Sequence, residues 1–371
     1  MKIGILTHYY KSNNYGGNLQ AFALVKFLNK LGYDTEQISY KRGDDYIFSD
    51  CPVKRDYFLI KFAKSIINSI RKYNINKRMR AINRFNQGKI PHSKIVYNNK
   101  NIKNISDKYD VFITGSDQVW HPQAVCDAYL LNFDSKDTKK ISYAASFSVD
   151  ELPQNVKDYY KKCLSDIESI SVREEKGCDL VEQIIGKKPT LVLDPTLLLS
   201  KNDWSEIIEE TENYGKYIFC YFLGSDRTYR EKATAFAKEK GYIIVTLPHL
   251  NGIVKADKEF GDKRLFNVSP GQLLSLIKNS EYVITDSYHI SVFSIIYEKK
   301  FLAFDRYGMG SRIKTLTELF GITERFFDTK EKSELQYILS LDKIDYDKVN
   351  RSKYNSLLEI SKDFLINALC R

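Results

Sequence analysis

The chain has 371 residues, 43% of them hydrophobic and 13% aromatic, which excludes a disordered or low-complexity polymer and exceeds what one core supports, so two domains are expected. No apolar run approaches the ~18 residues of a bilayer crossing, and Met1-Lys2-Ile3-Gly4-Ile5-Leu6 lacks the features of a secretory signal, so a cytoplasmic protein is expected. The net charge of +10 is concentrated: residues 54–89 hold eleven Lys and Arg against Asp56 alone, and the remainder balances.

In chain order, a strand over 3–7, a loop over 13–18, a helix over 19–31 stopped by Gly32 and a strand over 35–40 make a βαβ opening. Segment 54–89 reads as an amphipathic helical insertion, with Phe58, Phe62, Ile66 and Ile70 on one line, joined by Leu59, Ala63 and Ile67, and basic residues opposite. That face is either solvated or a surface for anionic lipid headgroups or a lipid-diphosphate substrate; no recognition motif accompanies it, so nucleic acid is not expected. Short buried strands follow at 111–114, 141–145, 169–172 and 191–193.

After Asp194-Pro195, a helix over 203–212 leads to a second series: strands at 217–222, 242–247, 282–285 and 301–304, helices at 226–240, 270–278 and 289–297. The fold class expected is α/β, two doubly wound Rossmann-like domains facing a cleft, the architecture called GT-B. The expected division is 1–200, carrying the basic insertion near 54–90 and the acceptor side; 201–340, the donor side; and 341–371, a helix near 346–369 able to cross back to the first domain. Cys51, Cys126, Cys163, Cys178, Cys220 and Cys370 form no CxxC pair and read as free thiols. The five histidines are scattered and HExxH is absent, so no metal is expected.

Ligands of parallel sheets sit at the carboxyl ends of strands, which directs attention to five places. His8 and Asn13-Asn14-Tyr15-Gly16-Gly17-Asn18, running into Gln20, form a glycine-bearing loop at a helix start, either a ligand cradle or a structural turn. Gly115-Ser116-Asp117-Gln118-Val119-Trp120 crowds acid, amide and indole together, either for a sugar stacked on Trp120 or as an Asp cap with a buried Trp. Arg173 ends a strand, either as a free fork for carboxylate or phosphate or paired with Glu174 or Glu175. Asp194-Pro195-Thr196 reads as a turn. Asp286-Ser287-Tyr288-His289 puts a histidine in the first turn of a helix, a natural acid or base, with Arg306 or Arg312 downstream able to close the site.

Together, residues 14–24 (Asn14-Tyr15-Gly16-Gly17-Asn18-Leu19-Gln20 onward), Gly115-Ser116-Asp117-Gln118-Val119-Trp120, Lys140-Ile141-Ser142-Tyr143-Ala144-Ala145-Ser146-Phe147, Ser171-Val172-Arg173-Glu174, Asp194-Pro195-Thr196 and 286–300 resemble the polysaccharide pyruvyl transferase family. The resemblance implies transfer of a pyruvyl group from phosphoenolpyruvate, as co-substrate and with no cofactor, onto two hydroxyls of a sugar as a cyclic ketal. The product would be a capsule, exopolysaccharide or other bacterial surface glycan. It implies Arg173 and His289 as catalytic residues; with the strand-end reading, Arg173, Ser287, Tyr288, His289 and Arg312 are expected on the donor, and His8, Asn18, Gln20, Ser116, Asp117, Gln118 and Trp120 on the acceptor. Many relatives carry Arg two residues before the histidine and Gly after it, where this chain has Ser287 and Ile290. A lipid-linked oligosaccharide acceptor and peripheral contact with an anionic inner membrane face are the partners expected. The alternatives are a GT-B nucleotide-sugar glycosyltransferase, for which Asp345-Tyr346-Asp347 is the only DxD, at the start of the last helix, and a catalytically silent glycan-binding protein.

Overall fold

A computed structural model of the chain describes residues 1–43, 63–123, 125–134, 138–250, 254–306, 310–328, 335–341 and 344–370. Cys51, residues 54–62 of the basic segment and the side chains through Ile70 lie outside that description. The first half runs β1 (Lys2–Leu6), α1 (Tyr15–Lys30), β2 (Asp34–Gln37), α2 (Ala63–Lys89), β3 (Val111–Thr114), β4 (Lys139–Ala145), α3 (Gln154–Ser165), β5 (Ser169–Val172), α4 (Glu175–Ile185) and β6 (Thr190–Leu191). The second half runs α5 (Lys201–Ser205), β7 (Tyr217–Tyr221), α6 (Arg227–Lys240), β8 (Ile243–Thr246), β9 (Lys263–Arg264), α7 (Pro270–Asn279), β10 (Tyr282–Thr285), α8 (Tyr288–Ile296), β11 (Lys300–Phe304), α9 (Ser311–Leu319), β12 (Phe326–Phe327), α10 (Leu335–Ser340) and α11 (Ser352–Cys370).

The chain divides into two compact units, one of Met1–Leu59, Asn83–Leu199 and Ser356–Arg371, the other of Ile60–Ile82 and Ser200–Asn355. Each is built on a six-stranded sheet whose neighbouring strands are all parallel, ordered β2-β1-β3-β4-β5-β6 in the first and β12-β11-β10-β7-β8-β9 in the second. Strands such as Val111–Thr114 and Tyr282–Thr285 are largely apolar, each closing on a threonine, and fully buried, as a sheet covered on both faces requires. Leu6, Phe112, Trp120, Phe147, Tyr160 and Val181 belong to the first core, and Phe222, Phe236, Tyr282, Ile284, Leu302 and Phe304 to the second.

Helix ends follow local chemistry. The Asn14 side chain accepts from the amides of Gly16 and Gly17, so α1 starts at Tyr15, one turn before the expected 19, and the glycines are helical instead of a loop. Ser200 and Asp203 form a reciprocal capping box, but the helix stops at Ser205, shorter than the expected 203–212. α11 begins at Ser352, so Asp345-Tyr346-Asp347 precedes it and does not open it; the Tyr346 hydroxyl donates to Lys299 O at 2.7 Å. Residues 60–82 group with the second unit, not with the first-domain insertion expected.

Strand order locates the ligand ends. In the first sheet, the chain departs to opposite sides of β1, so the loops after β1 and β3 diverge at a switch point; in the second, β7 and β10 play those parts.

Candidate functional site

In the first unit the two switch-point loops are stitched together. Thr7 Oγ1 donates to Ser116 O at 2.7 Å, and His8 Nε2 lies 3.2 Å from Gln118 O, which as a carbonyl can only accept, so Nε2 carries the proton and Nδ1 the lone pair. The ring of His8 meets Tyr129 edge-on at 4.4 Å. Gly17 is required here: a Cβ would stand 2.6 Å from His8 O. Burial lowers the His8 pKa to about 4, against the pull of Asp117, which raises it.

Arg173 is the hub of this end of the sheet. Its side chain is 3% exposed, with Nη1 2.6 Å from Asp194 Oδ2, Nε 3.4 Å from Glu174 Oε1 and Nη2 3.6 Å from Asp117 Oδ1. The free fork expected for a donor anion is therefore engaged by carboxylates, the Glu174 alternative among them. Asp194, fully buried, also accepts from Thr196 N and Oγ1, so its turn is an anchor for Arg173 as well. Asp117 takes a left-handed backbone (φ 69°), tolerable for Asp, which turns its carboxylate toward the guanidinium.

Four of the expected acceptor residues are closed off. Asn18 and Gln20 are wholly buried; the Asn18 amide donates to Asn14 O and accepts from Asn86, and Gln20 Nε2 donates to Thr7 Oγ1 and Gly17 O, each at 2.9 Å. Ser116 Oγ is shared between Ala144 O at 3.0 Å and Asp194 Oδ2 at 3.3 Å. Trp120 is a core residue, its Nε1 donating to Tyr129 O at 3.2 Å and its ring on Phe147, so no face is offered for sugar stacking. His8 and Gln118 remain partly exposed, with Asp117 behind them.

In the second unit Asp286 ties the loops. It is 4% exposed and accepts from the amides of Leu223 at 2.6 Å and Gly224 at 2.7 Å. Burial raises its pKa, and these two amides, with Arg306 and Arg230, oppose the rise. Ser287, whose amide donates to Thr285 Oγ1, heads α8, and His289 lies in the first turn, nearly buried, its ring edge-on to Tyr288 at 5.2 Å. Arg312 lies over Tyr288, 5.8 Å from the ring centroid. Arg173 belongs to the first unit and His289 to the second.

Sequence reading missed His249, just beyond β8, although the strand-end rule applied to that strand would have found it. Its pKa is lowered by burial, with Asp257 opposing and Arg78, Arg230 and Arg306 adding to the fall. Arg78 had no local signal at all: it sits on α2, 3% exposed, with Nη2 donating to Pro248 O at 3.1 Å. Among the described residues no group of three or more His, Cys, Asp or Glu gathers as a metal site, and no helix is long and apolar enough to cross a membrane. The described cysteines, Cys126, Cys163, Cys178, Cys220 and Cys370, are free thiols.

Paired parallel sheets with polar switch points define a two-domain α/β enzyme of GT-B-like fold, and solved structures share it. The chain is similar to UDP-GlcNAc 2-epimerases from Rickettsia bellii (12% identity, 100% of this chain and 96% of that one, TM-score 0.53), from Neisseria meningitidis, bound to UDP-GlcNAc (12%, 99% and 100%, 0.52), and from Methanocaldococcus jannaschii (14%, 98% and 99%, 0.50). At these identities the likeness concerns the fold alone. Curated proteins give no match. The family described as polysaccharide pyruvyl transferase matches residues 14–307, most of the chain, and the protein belongs to that family of transferases.

Two outcomes follow from the first unit. Arg173→Met strands the buried Asp194 carboxylate and should cost about 3–5 kcal/mol of stability without any ligand, read by urea unfolding; an unchanged midpoint would refute the hub. Below its ordinary pKa of 6.5, His8 in the unfolded chain takes up a proton that the folded state refuses until about 4, so its contribution is intact above that window and lost as pH falls through it. Between pH 7 and pH 5, His8→Asn should therefore lose about 2 kcal/mol less stability than wild type; parallel losses in the two proteins would show that His8 is not held neutral.

Proposed function

We propose that the protein transfers the pyruvyl group of phosphoenolpyruvate onto two hydroxyls of a sugar, as a cyclic ketal, in a bacterial surface glycan or its lipid-linked precursor. The observation that carries this reading is the seat of His289, in the first turn of α8 at the switch point of the second sheet, in a chain of this family. His289 delivers a proton to the methylene carbon of phosphoenolpyruvate, which becomes the ketal methyl. The electron-poor C2 takes one sugar hydroxyl, phosphate leaves, and the second hydroxyl closes the ring. Of the two hydroxyl protons, one balances that placed on carbon and the other leaves with phosphate. Ser287, Tyr288 and Arg312 line the donor side.

On the acceptor side the accessible groups are His8, through its Nδ1 lone pair, and Gln118, with Asp117 behind them. With its pKa lowered to about 4, the imidazole is neutral near pH 7 and there accepts a hydrogen bond from a hydroxyl. Arg173 serves this side by holding Asp117, not by gripping the donor.

A lipid-linked acceptor is favoured by α2. Its described side chains, 71–89, contain seven basic residues and no acid, with Lys72, Tyr73, Asn76, Arg80 and Arg84 exposed along it and Lys77 Nζ 4.6 Å over the Tyr73 ring. Each basic residue near an anionic surface contributes about 1 kcal/mol.

The test of the chemistry is incubation with phosphoenolpyruvate and a panel of sugar diols and lipid-linked saccharides, reading phosphate release and the new ketal methyl by NMR. Wild type should turn over, and His289→Asn should lose about 10²–10⁴-fold in kcat with little change in phosphoenolpyruvate affinity. Activity only with UDP-sugars, ligands of the kind seen on the Neisseria epimerase, would move the reading to glycosyl transfer. For the membrane face, sedimentation with phosphatidylserine vesicles should be salt-sensitive and weakened in Lys72→Glu/Arg80→Glu; equal binding to neutral vesicles would count against it.

A further inference from the structure

The amino end of the first sheet, opposite the end that carries Arg173, holds a cavity of about 510 Å³, within the ~300–1,000 Å³ typical of small-molecule sites. One wall is a single face of α11, where Ile360, Asp363, Phe364, Asn367 and Ala368 recur at helical spacing. The other wall begins with the first residues of two strands, Ser169 of β5 and Thr190 of β6, and is completed by Ile167, Ile170 and Ile185. Every one of these residues belongs to the first unit.

The helix wall is fixed in place. Leu193 N donates to Ser361 Oγ at 2.9 Å, and Lys139 Nζ donates to Ala368 O at 3.2 Å, so α11 is pinned at two points. Its buried stripe is Ser361, Leu365, Ala368 and Leu369, whereas Ile360 stays 47% exposed and Phe364 half-buried on the neighbouring stripe. The chemistry of the lining then selects among occupants. Lys187 and Lys188 are matched by Glu168 and Asp363, so a phosphate or a fatty-acid carboxylate would meet two carboxylates as well as two ammoniums. An extended peptide has little to pair with, because β6 is two residues long and Leu193 N, just beyond it, is already taken by Ser361. The side chains of Glu168, Ser169, Lys187, Thr190, Asp363 and Asn367 make no hydrogen bond or ion pair among the described residues. Donors and acceptors are thus both on offer beside an aromatic ring. The ligand that answers them is neutral overall, rich in hydroxyls, and has a C–H face to lay on Phe364.

We propose that this cavity is a second saccharide site, at the opposite end of the first sheet from His8 and Arg173, which holds a neutral stretch of glycan. It rests on the sugar-acceptor reading above only for which glycan occupies it; the lining calls for a saccharide whatever reaction the other end performs. Phe364 is the platform, and Asp363 and Asn367, one turn apart on the same face, take the hydroxyls at its edge. A glycan chain held at two places on one protein stays bound longer than at either alone, which suits an enzyme whose acceptor is a repeating saccharide.

Fluorescence of Phe364→Trp reads the site directly, because the two native tryptophans, Trp120 and Trp204, are wholly buried. Titration with neutral mono- to tetrasaccharides of glucose, galactose and N-acetylglucosamine should move the emission of the new indole to the blue, saturably, for at least one of them. The Kd should rise at least ~10-fold when Asp363→Ala and Asn367→Ala, both at exposed positions, are added. It should stay unchanged with Lys362→Ala, on the same helix and paired with Glu359. Calorimetry of the same saccharides on the wild type and on Asp363→Ala/Asn367→Ala repeats the comparison with the native ring in place. No saccharide binding that depends on Asp363 and Asn367 in either measurement would overturn the site, as would a response to phosphate or to a short fatty acid with none to any sugar. Saccharide binding here without pyruvyl transfer from phosphoenolpyruvate would keep the site and remove the donor reading. Pyruvyl transfer to a sugar by a protein whose cavity takes none would do the reverse.

Discussion

The contact between Arg173 and Asp194 organises the ligand end of the first unit. Both groups are almost withdrawn from water, so neither is tolerable without the other. Because Asp194 also accepts from Thr196 and shares the Ser116 hydroxyl, one carboxylate fixes the end of β5, the segment after β6 and the loop after β3 at once. The guanidinium reaches on to Glu174 and Asp117, and Asp117 in turn biases the His8 imidazole. His8 and Gln118 stay partly exposed at this end, held by the buried groups behind them.

The second unit meets the same requirement with amides where the first uses a guanidinium. Asp286 takes the backbone N–H groups of Leu223 and Gly224, so the loops after β7 and β10 are joined by one buried carboxylate. Such a group needs donors at both oxygens, and two amides supply them without adding a formal charge. The contrast is one of means: a guanidinium joins the loops of the first unit, and backbone amides join those of the second.

The architecture was legible because buried parallel strands are short apolar runs, and β3, β5 and β10 stand at the residues expected. Boundaries moved where a side chain captured backbone amides. Asn14 started α1 before Leu19, an effect of one hydrogen-bonding group that a periodicity argument does not weigh. Site residues were legible as types and not as orientations. A sequence shows that Trp120 and Arg173 follow strand ends, but whether an indole stacks on a sugar or turns inward to donate to a carbonyl depends on Tyr129, and whether a fork is open depends on Asp194, twenty-one residues further on. His249 was within reach of the rule that found the others; Arg78 was not, since its partner Pro248 lies 170 residues away.

Arg78 also shows why a count of charges along a helix is not a map of a surface. On α2 the buried described positions Arg78, Ile82, Phe85 and Asn86 fall at i, i+4, i+7 and i+8, an inward stripe, whereas Lys72, Asn76, Arg80 and Arg84 recur every four residues along an exposed one. The inward stripe carries a cation where an apolar residue would ordinarily sit. Lysine there would yield to burial by shedding its proton, whereas a guanidinium stays charged and donates to Pro248 O. The helix thus carries one basic stripe facing outward and a buried arginine committed to the second unit.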